Sequence, residues 1–199
     1  MTDGLVRCWW SGADAGRPDQ RMVDYHDTEW GVPTHDDQEL FERLALESFQ
    51  AGLSWSTILN KRPGFRAAFR DFEPEAVARF DDADRERLMA DANIVRNRAK
   101  IDATIRNAAG VLELAREFGS FDAYLASMVP GPPKRLPPET QAGEIPASTP
   151  ESDALSKDLR RRGFGFVGTT IVYAFMQSVG LVDDHLPGCF RYGAIGVTR

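Results

Sequence analysis

Apolar residues recur every three or four positions along most of this chain, which is the period of an α-helix. The clearest case begins near Asp36, where Thr34 and Asp37 have the spacing of an N-terminal cap, and it ends at Gly52. Four of its residues fall on one narrow stripe: Leu40, Leu44, Glu47 and Ala51. Glu47 therefore occupies a position where an apolar residue is expected, and a buried carboxylate is costly without a partner. The alternative is a shifted helix phase that leaves Glu47 in solvent.

A turn follows this helix and brings three different chemical groups together. Gly52 breaks the helix, Leu53 stands at the turn, and Ser54 can cap a helix that begins with Trp55. An acid, a turn with exposed backbone and an indole thus lie within a few residues of one another.

The rest of the chain also indicates helices with short connections. Helices are predicted to begin at Pro63, Pro74, Asp82 or Asp84, Asn97 and Phe121. The chain from Arg7 to Trp30 has little periodicity and is predicted to be an irregular arm held by its aromatic residues. Because no strand-like alternation of useful length occurs, the predicted fold class is all-α.

One stretch, residues 129–150, is rich in proline and lacks apolar periodicity. It contains seven of the twelve prolines, so we expect a long irregular connection. Such loops are uncommon in compact domains. It could divide two lobes or lie across a functional surface, and we expect residues 1–199 to form a single domain of two lobes.

A helix–hairpin–helix is predicted at about residues 150–180. Thr149 and Pro150 suit the start of the first helix, and Thr169 is expected to cap the second. Gly165 and Gly168 would let the backbone approach a phosphate, which a helix N-terminus also favours. The alternative is a helical hairpin without a ligand. Basic residues precede the hairpin and favour DNA: Lys157, Arg160, Arg161 and Arg162.

Composition limits the classes of function. The 199 residues carry a net charge of -6, so binding to a polyanion would need a local basic patch. No apolar run is long enough to span a membrane, and the N-terminus lacks the apolar segment of a signal peptide. We therefore expect a cytoplasmic protein, which we also expect to be a monomer.

The two ends of the chain contain the residues of a possible metal site. Cys8 and His26 lie near one end, and His185 and Cys189 form an H-x3-C pair near the other. Cys2His2 is the composition of a closed structural zinc site, which leaves no position for a catalytic water. The alternative is two buried thiols and two unrelated imidazoles.

Four ordered segments resemble the constitutive DNA-3-methyladenine glycosylases I of bacteria, in the helix–hairpin–helix superfamily. The segments are RCWW at 7–10, YHDTEWGVP at 25–33, LESFQAGLSW at 46–55 and DALSKDLRRRGFGFVGTTIVYAFMQSVGLVDDH at 153–185. The resemblance covers nearly the whole chain. It implies that Zn²⁺ is bound by Cys8, His26, His185 and Cys189, so that the ends of the chain are joined at a structural site.

The resemblance also implies an activity and a site. The activity is hydrolysis of the N-glycosidic bond of 3-methyladenine in alkylated duplex DNA, without a lyase step, leaving an abasic site and the free base. The resemblance assigns catalytic roles to Glu47 and Tyr25. The implied base-binding residues are Trp55, Trp10, Trp30 and Met22, and the implied DNA-binding residues are Gly52, Leu53, Gly165, Gly168 and Thr169. Met22 departs from the pattern, since some members carry a tyrosine there; a thioether packs against a base but offers no hydroxyl.

The competing interpretation is a non-catalytic DNA-binding module built on the same hairpin. A protein that binds only the DNA backbone has no use for a buried acid beside an indole. An N3-methylated purine, by contrast, is a cation that a carboxylate and an indole face both attract. The environment of Glu47 therefore distinguishes the two interpretations.

Overall fold

The regular structure of the chain is almost all α-helix, with very little sheet. The computed structural model describes residues 4–194, in which most helices are joined by short connections and the seventh and eighth helices by the long stretch 129–149. The helices are α1 (Gln20–Thr28), α2 (Asp37–Gln50), α3 (Trp55–Ala68), α4 (Pro74–Val77), α5 (Asp82–Ala90), α6 (Arg98–Phe118), α7 (Phe121–Met128), α8 (Pro150–Arg161) and α9 (Thr169–Ser178). The predicted all-α class is confirmed. Within residues 4–194, no helix is long and apolar enough to cross a membrane.

The core is built around α2, which packs against α3, α6, α7 and α9. Its apolar residues belong to one large cluster that also contains residues of α8 and α9, beyond the proline-rich connection. Phenylalanines form its centre, with Phe49 and Phe65 ring centroids 4.6 Å apart. Burial of each such ring contributes about 1.5–3 kcal/mol. The site described below therefore rests on a rigid support.

The cap of α2 differs from the prediction. Asp36 is the N-cap residue and its carboxylate accepts the N–H of Glu39 at 2.8 Å. Thr34 instead donates to the Glu39 side chain, and the Asp37 carboxylate accepts the N–H groups of Phe121 and Asp122 at the start of α7. The prediction was wrong because the capping-type residues here serve a tertiary contact.

Two other predictions were wrong in the N-terminal half. The arm from Arg7 to Trp30 contains α1, whose N-terminus is capped by Asp19. Pro63 does not begin a helix but lies inside α3, which continues through it. Proline removes one helical hydrogen bond, yet Ile58 and Phe65 on either side of it are both fully buried in the core. Tertiary burial thus outweighs the local preference of proline.

The proline-rich connection is largely irregular, as predicted, but it also forms a short strand. Strands β1 (Lys134–Arg135) and β2 (Val182–Asp183) pair in parallel, with Lys134 opposite Val182. Two residues per strand are too few for a period-two pattern, so these strands could not be predicted from the sequence. The pairing ties the connection to the chain after α9.

The helix–hairpin–helix is present, with a different cap at its second helix. Thr149 caps α8 and Pro150 is its first residue, as predicted. The N-cap of α9 is Gly168 and not Thr169. The Thr169 hydroxyl instead donates to the Asp153 carboxylate and lies 3.0 Å from the Ser152 hydroxyl. It therefore holds α9 against α8.

Candidate functional site

A cavity of about 430 Å³ opens between the N-terminal arm, α1, α2, α3 and α9. Its lining residues are Trp10, Met22, Tyr25, Trp30, Glu47, Gln50, Ser54, Trp55, Ser56, Ile145, Ala174 and Gln177. All six residues that the sequence placed in a base pocket are among them. The volume suits a small aromatic ligand, and its walls are aromatic with a few polar groups, as is typical of ligand sites.

Glu47 is the acid of this cavity. It lies on the buried face of α2 and is only 5% exposed, so the alternative of a solvated side chain is excluded. No hydrogen bond or ion pair to its carboxylate exists among residues 4–194. Burial raises the pKa of Glu47 to about 8, and the charge of Arg43 offsets this only in part. The free protein therefore holds Glu47 mostly protonated at neutral pH.

Two residues that line the cavity each carry a buried donor without a partner. The Tyr25 hydroxyl and the Trp55 indole Nε1 are both buried and have no hydrogen-bond acceptor. Burial raises the pKa of Tyr25 well above its usual value, so the hydroxyl keeps its proton. An unsatisfied buried donor costs about 1–3 kcal/mol. Two such donors on the wall of one cavity are unusual for a packed core.

Aromatic rings form the walls around Glu47. The Tyr25 and Trp55 ring centroids lie 5.0 Å apart with an interplanar angle of 41°. Trp10 and Trp30 meet edge to face at 4.9 Å. Met22 packs against this aromatic group. A flat base entering the cavity would meet π-faces and the Met22 thioether, with no hydroxyl at that position.

Sequence reasoning missed several residues of the cavity. Gln50, Ala174 and Gln177 lie on α2 and α9, where only the helix phase could have indicated them. Ile145 comes from the proline-rich connection, which carries no periodic signal. Part of this connection therefore lies at the wall of the cavity.

A smaller groove of about 300 Å³ adjoins the cavity. It is lined by Gly52 and Leu53 and by the first turn of α9, and it shares Glu47 with the cavity. Gly52 has a φ of +84°, which an L side chain rarely adopts. Leu53 is 42% exposed, which is unusual for a leucine in this fold. The turn thus presents an apolar side chain next to the mouth of the cavity.

Lys100 of α6 holds the Gly52–Leu53 turn in place through hydrogen bonds to the end of α2. It is buried, and its Nζ donates to the carbonyl oxygens of Phe49 at 2.9 Å and Ala51 at 2.7 Å. Carbonyls at the C-terminal end of a helix lack intrahelical partners. A cation at that end also complements the helix dipole. The end of α2, and with it the Gly52–Leu53 turn, is therefore anchored on α6.

The hairpin glycines differ in their surroundings. The N–H of Gly165 donates to the Asn107 side chain at 2.8 Å, so it is not free to bind a phosphate. A Cβ there would lie 2.9 Å from the Cβ of Ala103 on α6, which explains the glycine by close packing on that helix. Gly168 begins α9, where the first N–H groups lack helical acceptors. The structure thus leaves Gly168 and Thr169, but not the amide of Gly165, at an open helix N-terminus.

The basic residues near the hairpin divide into two groups. Arg161 pairs with Asp158, and Arg162 pairs with Asp158 and Glu117. Lys157 and Arg160 are exposed and have no ion pair among the described residues. Both line a shallow depression with Thr169 at the start of α9. Their charge is available to a polyanion, and that of the paired arginines is largely compensated.

The four predicted metal ligands converge. Cys8, His26, His185 and Cys189 are all buried, and their ligand atoms lie within 4.8 Å of one another. His185 Nδ1 is 3.6 Å from both sulfurs, and His26 Nε2 is 3.4 Å from the Cys189 sulfur. Tetrahedral Zn²⁺ with usual bond lengths separates its sulfur and nitrogen ligands by about 3.6 Å. The donor set and its spacing therefore fit a closed tetrahedral metal site.

Groups outside the cluster orient the ligands. His26 Nδ1 is 2.7 Å from the Asp27 carboxylate, and His185 Nε2 is 3.3 Å from the carbonyl oxygen of Trp30. The N–H groups of Leu186 and Arg191 donate to the sulfurs of Cys8 and Cys189. Such outer contacts fix the imidazole tautomer and favour thiolates. The Trp30 contact also links the cluster to the cavity wall.

Comparisons with known proteins identify relatives of this chain in sequence and in fold. The chain is 48% identical over 188 residues to DNA-3-methyladenine glycosylase 1 of Escherichia coli (strain K12), covering 94% of this chain and 97% of that protein. A crystal structure of a 3-methyladenine DNA glycosylase I has a TM-score of 0.86 and 46% identity, covering 94% of this chain and all of the other.

A third relative connects the fold to a ligand. The structure of 3-methyladenine DNA glycosylase I from Staphylococcus aureus, solved to explain 3-methyladenine recognition by that enzyme, has a TM-score of 0.83 and 43% identity. The match covers 88% of this chain and 93% of the Staphylococcus aureus chain. The profile of the family named Methyladenine glycosylase matches residues 15–192. The resemblance drawn from the sequence motifs is thereby confirmed, and the chain belongs to the methyladenine glycosylase family.

Proposed function

We propose that this protein hydrolyses the N-glycosidic bond of 3-methyladenine in alkylated duplex DNA, releasing the free base and leaving an abasic site. The observation that carries the proposal is the cavity around Glu47. It contains a buried acid without a partner, two buried donors without acceptors, and aromatic walls. A purely structural core would not retain three unsatisfied polar groups together. A backbone-binding module would have no use for them either.

The chemistry follows from the charge of the substrate. Methylation at N3 makes the purine cationic, so the bond between N9 and C1′ is already weakened. When this bond breaks, its electrons neutralise the purine, and water adds to C1′ with loss of a proton. The protein therefore has to expose the base, hold it and favour the cation over normal adenine. None of these tasks requires a strong general acid.

Glu47 and the aromatic rings carry the selection for charge. Entry of a cation lowers the pKa of a nearby carboxyl group, so Glu47 loses its proton as the base binds. The resulting carboxylate accepts a charge-assisted hydrogen bond from the adenine edge. The Trp55 face attracts the same cation with about 0.5–2 kcal/mol. Tyr25 supplies a hydroxyl donor and, with Trp10, Trp30 and Met22, encloses the ring.

The reaction is proposed to stop at hydrolysis. A lyase step needs an amine nucleophile, and the described cavity-lining residues include no lysine. Asp183 and Asp184 are also engaged elsewhere: Asp183 pairs with Arg135, and Asp184 accepts from Tyr173 and Gln177. Neither is free to act as a base in the cavity. This supports a monofunctional glycosylase that relies on the activated leaving group.

The DNA is proposed to lie across the groove beside the cavity. Leu53 would occupy the gap left by the flipped nucleotide, since it is exposed on an anchored turn next to Glu47. The N-terminus of α9, with Gly168 and Thr169, would bind a backbone phosphate, assisted by Lys157 and Arg160. Gly165 is proposed to act by shaping the hairpin, because its own amide is occupied.

The metal cluster is proposed to hold one structural Zn²⁺ per chain. Its four protein ligands leave no position for water, so the ion would supply cross-linking and no chemistry. It would join the arm that carries Trp10 to the segment after α9. Trp30 would be positioned through its carbonyl contact with His185.

Release of free 3-methyladenine from methylated duplex DNA tests the proposal. DNA labelled with a methylating agent is incubated with the protein, and the released bases are separated by chromatography. We expect 3-methyladenine to be released together with equimolar abasic sites and without strand cleavage. Binding to abasic DNA without base release would refute the glycosylase activity and leave the DNA-binding module, whereas strand cleavage would refute the monofunctional reaction.

A further inference from the structure

One aromatic residue of the hairpin has no role in the function proposed above. Phe166 lies between α8 and α9 and is 37% exposed. Away from the two ends of the chain, Leu53 and Phe166 are the only large apolar side chains exposed to this extent among residues 4–194. Leu53 is proposed to enter the DNA, so the same question arises for Phe166.

Phe166 lies beside the Gly52–Leu53 turn. Lys100 Nζ is 5.9 Å from the centroid of the Phe166 ring and donates to the carbonyl oxygen of Ala51 at 2.7 Å. Ala51 directly precedes the turn. The carbonyl oxygen of Phe166 accepts the Ser48 hydroxyl of α2 at 3.0 Å. Phe166 is therefore held against the end of α2, next to the turn proposed to contact DNA.

The backbone of Phe166 is strained. Its φ is +53°, in the left-handed region that bulky side chains rarely adopt. Such strain persists only where the surrounding structure fixes it, and it clusters at functional sites. Side chains of the helices fix the hairpin on both sides: Asn107 bonds the N–H and the carbonyl oxygen of Gly165, and Ser156 donates to the carbonyl oxygen of Val167 at 2.7 Å. A glycine at position 166 would avoid the strain, so the exposed ring is the feature that phenylalanine adds.

We infer that Phe166 is a second DNA-contacting side chain, whose ring packs against a base exposed beside the gap that Leu53 is proposed to fill. This inference rests on the proposed glycosylase function. Extrusion of a nucleotide unstacks the bases next to it. An aromatic side chain can stack on any of them, because every base has a π-face. A phosphate has no such face, so this contact differs in kind from the one proposed for the N-terminus of α9.

The test measures affinity for duplex DNA with an abasic site in Phe166→Ala and Phe166→Gly. Both variants remove the ring, and the affinity of each should fall at least about fivefold, the lower end for loss of a ring that stacks on a base. The slope of log affinity against log salt concentration should stay at the parental value, because no cation is removed. The loss on an undamaged duplex of the same sequence should be smaller, because its bases remain stacked.

The two variants separate a DNA contact from a role in shaping the hairpin. Glycine suits a positive φ and alanine does not, so Phe166→Gly should melt at a higher temperature than Phe166→Ala. If Phe166 only shaped the hairpin, Phe166→Gly would bind abasic DNA like the parent, and that result would overturn the inference. Should Phe166→Ala fail to fold, Phe166→Gly carries the test, because its backbone is unstrained.

Phe118→Ala is the matched control. Phe118 also lies beside a cation, with Arg162 Cζ 5.3 Å from its ring centroid, but it stands at the opposite end of α6 from Lys100. This variant should bind abasic DNA with parental affinity. Parental affinity in both Phe166 variants, or an equal loss in Phe118→Ala, would overturn the inference. If the parent protein released no methylated base, the proposed function itself would fail instead.

Discussion

Substitution of Glu47 by Gln should make the protein less active and more stable at the same time. The variant keeps the shape and most hydrogen-bonding capacity but removes the charge that complements the cationic base. Loss of a charge-assisted hydrogen bond costs about 1.5–3 kcal/mol, so excision of 3-methyladenine should fall about ten- to a hundredfold. Affinity for abasic DNA should change little, because that product no longer contains the base.

The gain in stability follows from the raised pKa. Folding moves the pKa of Glu47 from its ordinary 4.5 to about 8, so the folded state binds this proton more tightly than the unfolded state. Stability from this group is therefore present below pH 4.5 and is lost as the pH rises toward 8. At pH 7 the loss is about 3 kcal/mol, and Gln, which is never charged, avoids up to that amount.

The assay is chemical unfolding of parent and variant at pH 5 and pH 8, alongside excision kinetics. The advantage of the variant should grow between the two pH values. Glu42→Gln is the matched control, since Glu42 is equally buried on α2 but accepts from Arg62 at 2.7 Å and Arg66 at 2.8 Å. Removing this paired charge should destabilise the protein. If Glu47→Gln excised the base at the parental rate, or lost stability like Glu42→Gln, the account of the cavity would fail.

Three further outcomes are expected. Metal analysis of dialysed protein should find one zinc per chain, and Cys189→Ser should lower the melting temperature with loss of the metal; folded, active protein without metal would contradict this. Lys157→Ala and Arg160→Ala should each reduce the slope of log affinity for abasic DNA against log salt concentration by about 0.9. Arg161→Ala is the control and should change the slope less, because Arg161 is paired with Asp158. Equal slopes in all three variants would contradict the phosphate site. Trp55→Ala should weaken binding of free 3-methyladenine by about 2- to 30-fold in calorimetry through the lost ring face, and unchanged affinity would exclude Trp55 from the base stack.

The sequence was sufficient for those features that depend on strong local patterns. The stripe on α2 placed Glu47 on a buried face because Leu40 and Leu44 fixed the helix phase. Ala51, the last residue of the predicted stripe, is exposed and follows the end of α2, so that part of the prediction was wrong. Thr149 and Pro150 located the start of α8 because both signals act within one turn. The four metal-type residues could be grouped across the whole chain because so few cysteines and histidines exist.

Features that depend on tertiary contacts could not be predicted from the sequence. Helix α1 is mostly polar, and its buried face consists of Tyr25, His26 and Val23, which do not form a clear apolar stripe. Pro63 is accommodated inside α3 because Ile58 before it and Phe65 after it are both buried in the core. The hydrogen bond between Gly165 and Asn107 joins residues 58 positions apart, so a phosphate-binding glycine and a packing glycine look the same in the sequence.

Helix α6 sets the spacing between the two turns proposed to contact DNA. Lys100 holds the end of α2 beneath Leu53, and Asn107, seven residues later, holds the hairpin through Gly165. Two helical turns separate these anchors by about 10 Å along a rigid axis. Inserting or deleting one residue between them would rotate one anchor by about 100° and release one of the turns. The length of this segment should therefore be under stronger constraint than the identity of its exposed residues, because it fixes the distance between the leucine proposed to fill the gap in the DNA and the helix proposed to bind a phosphate.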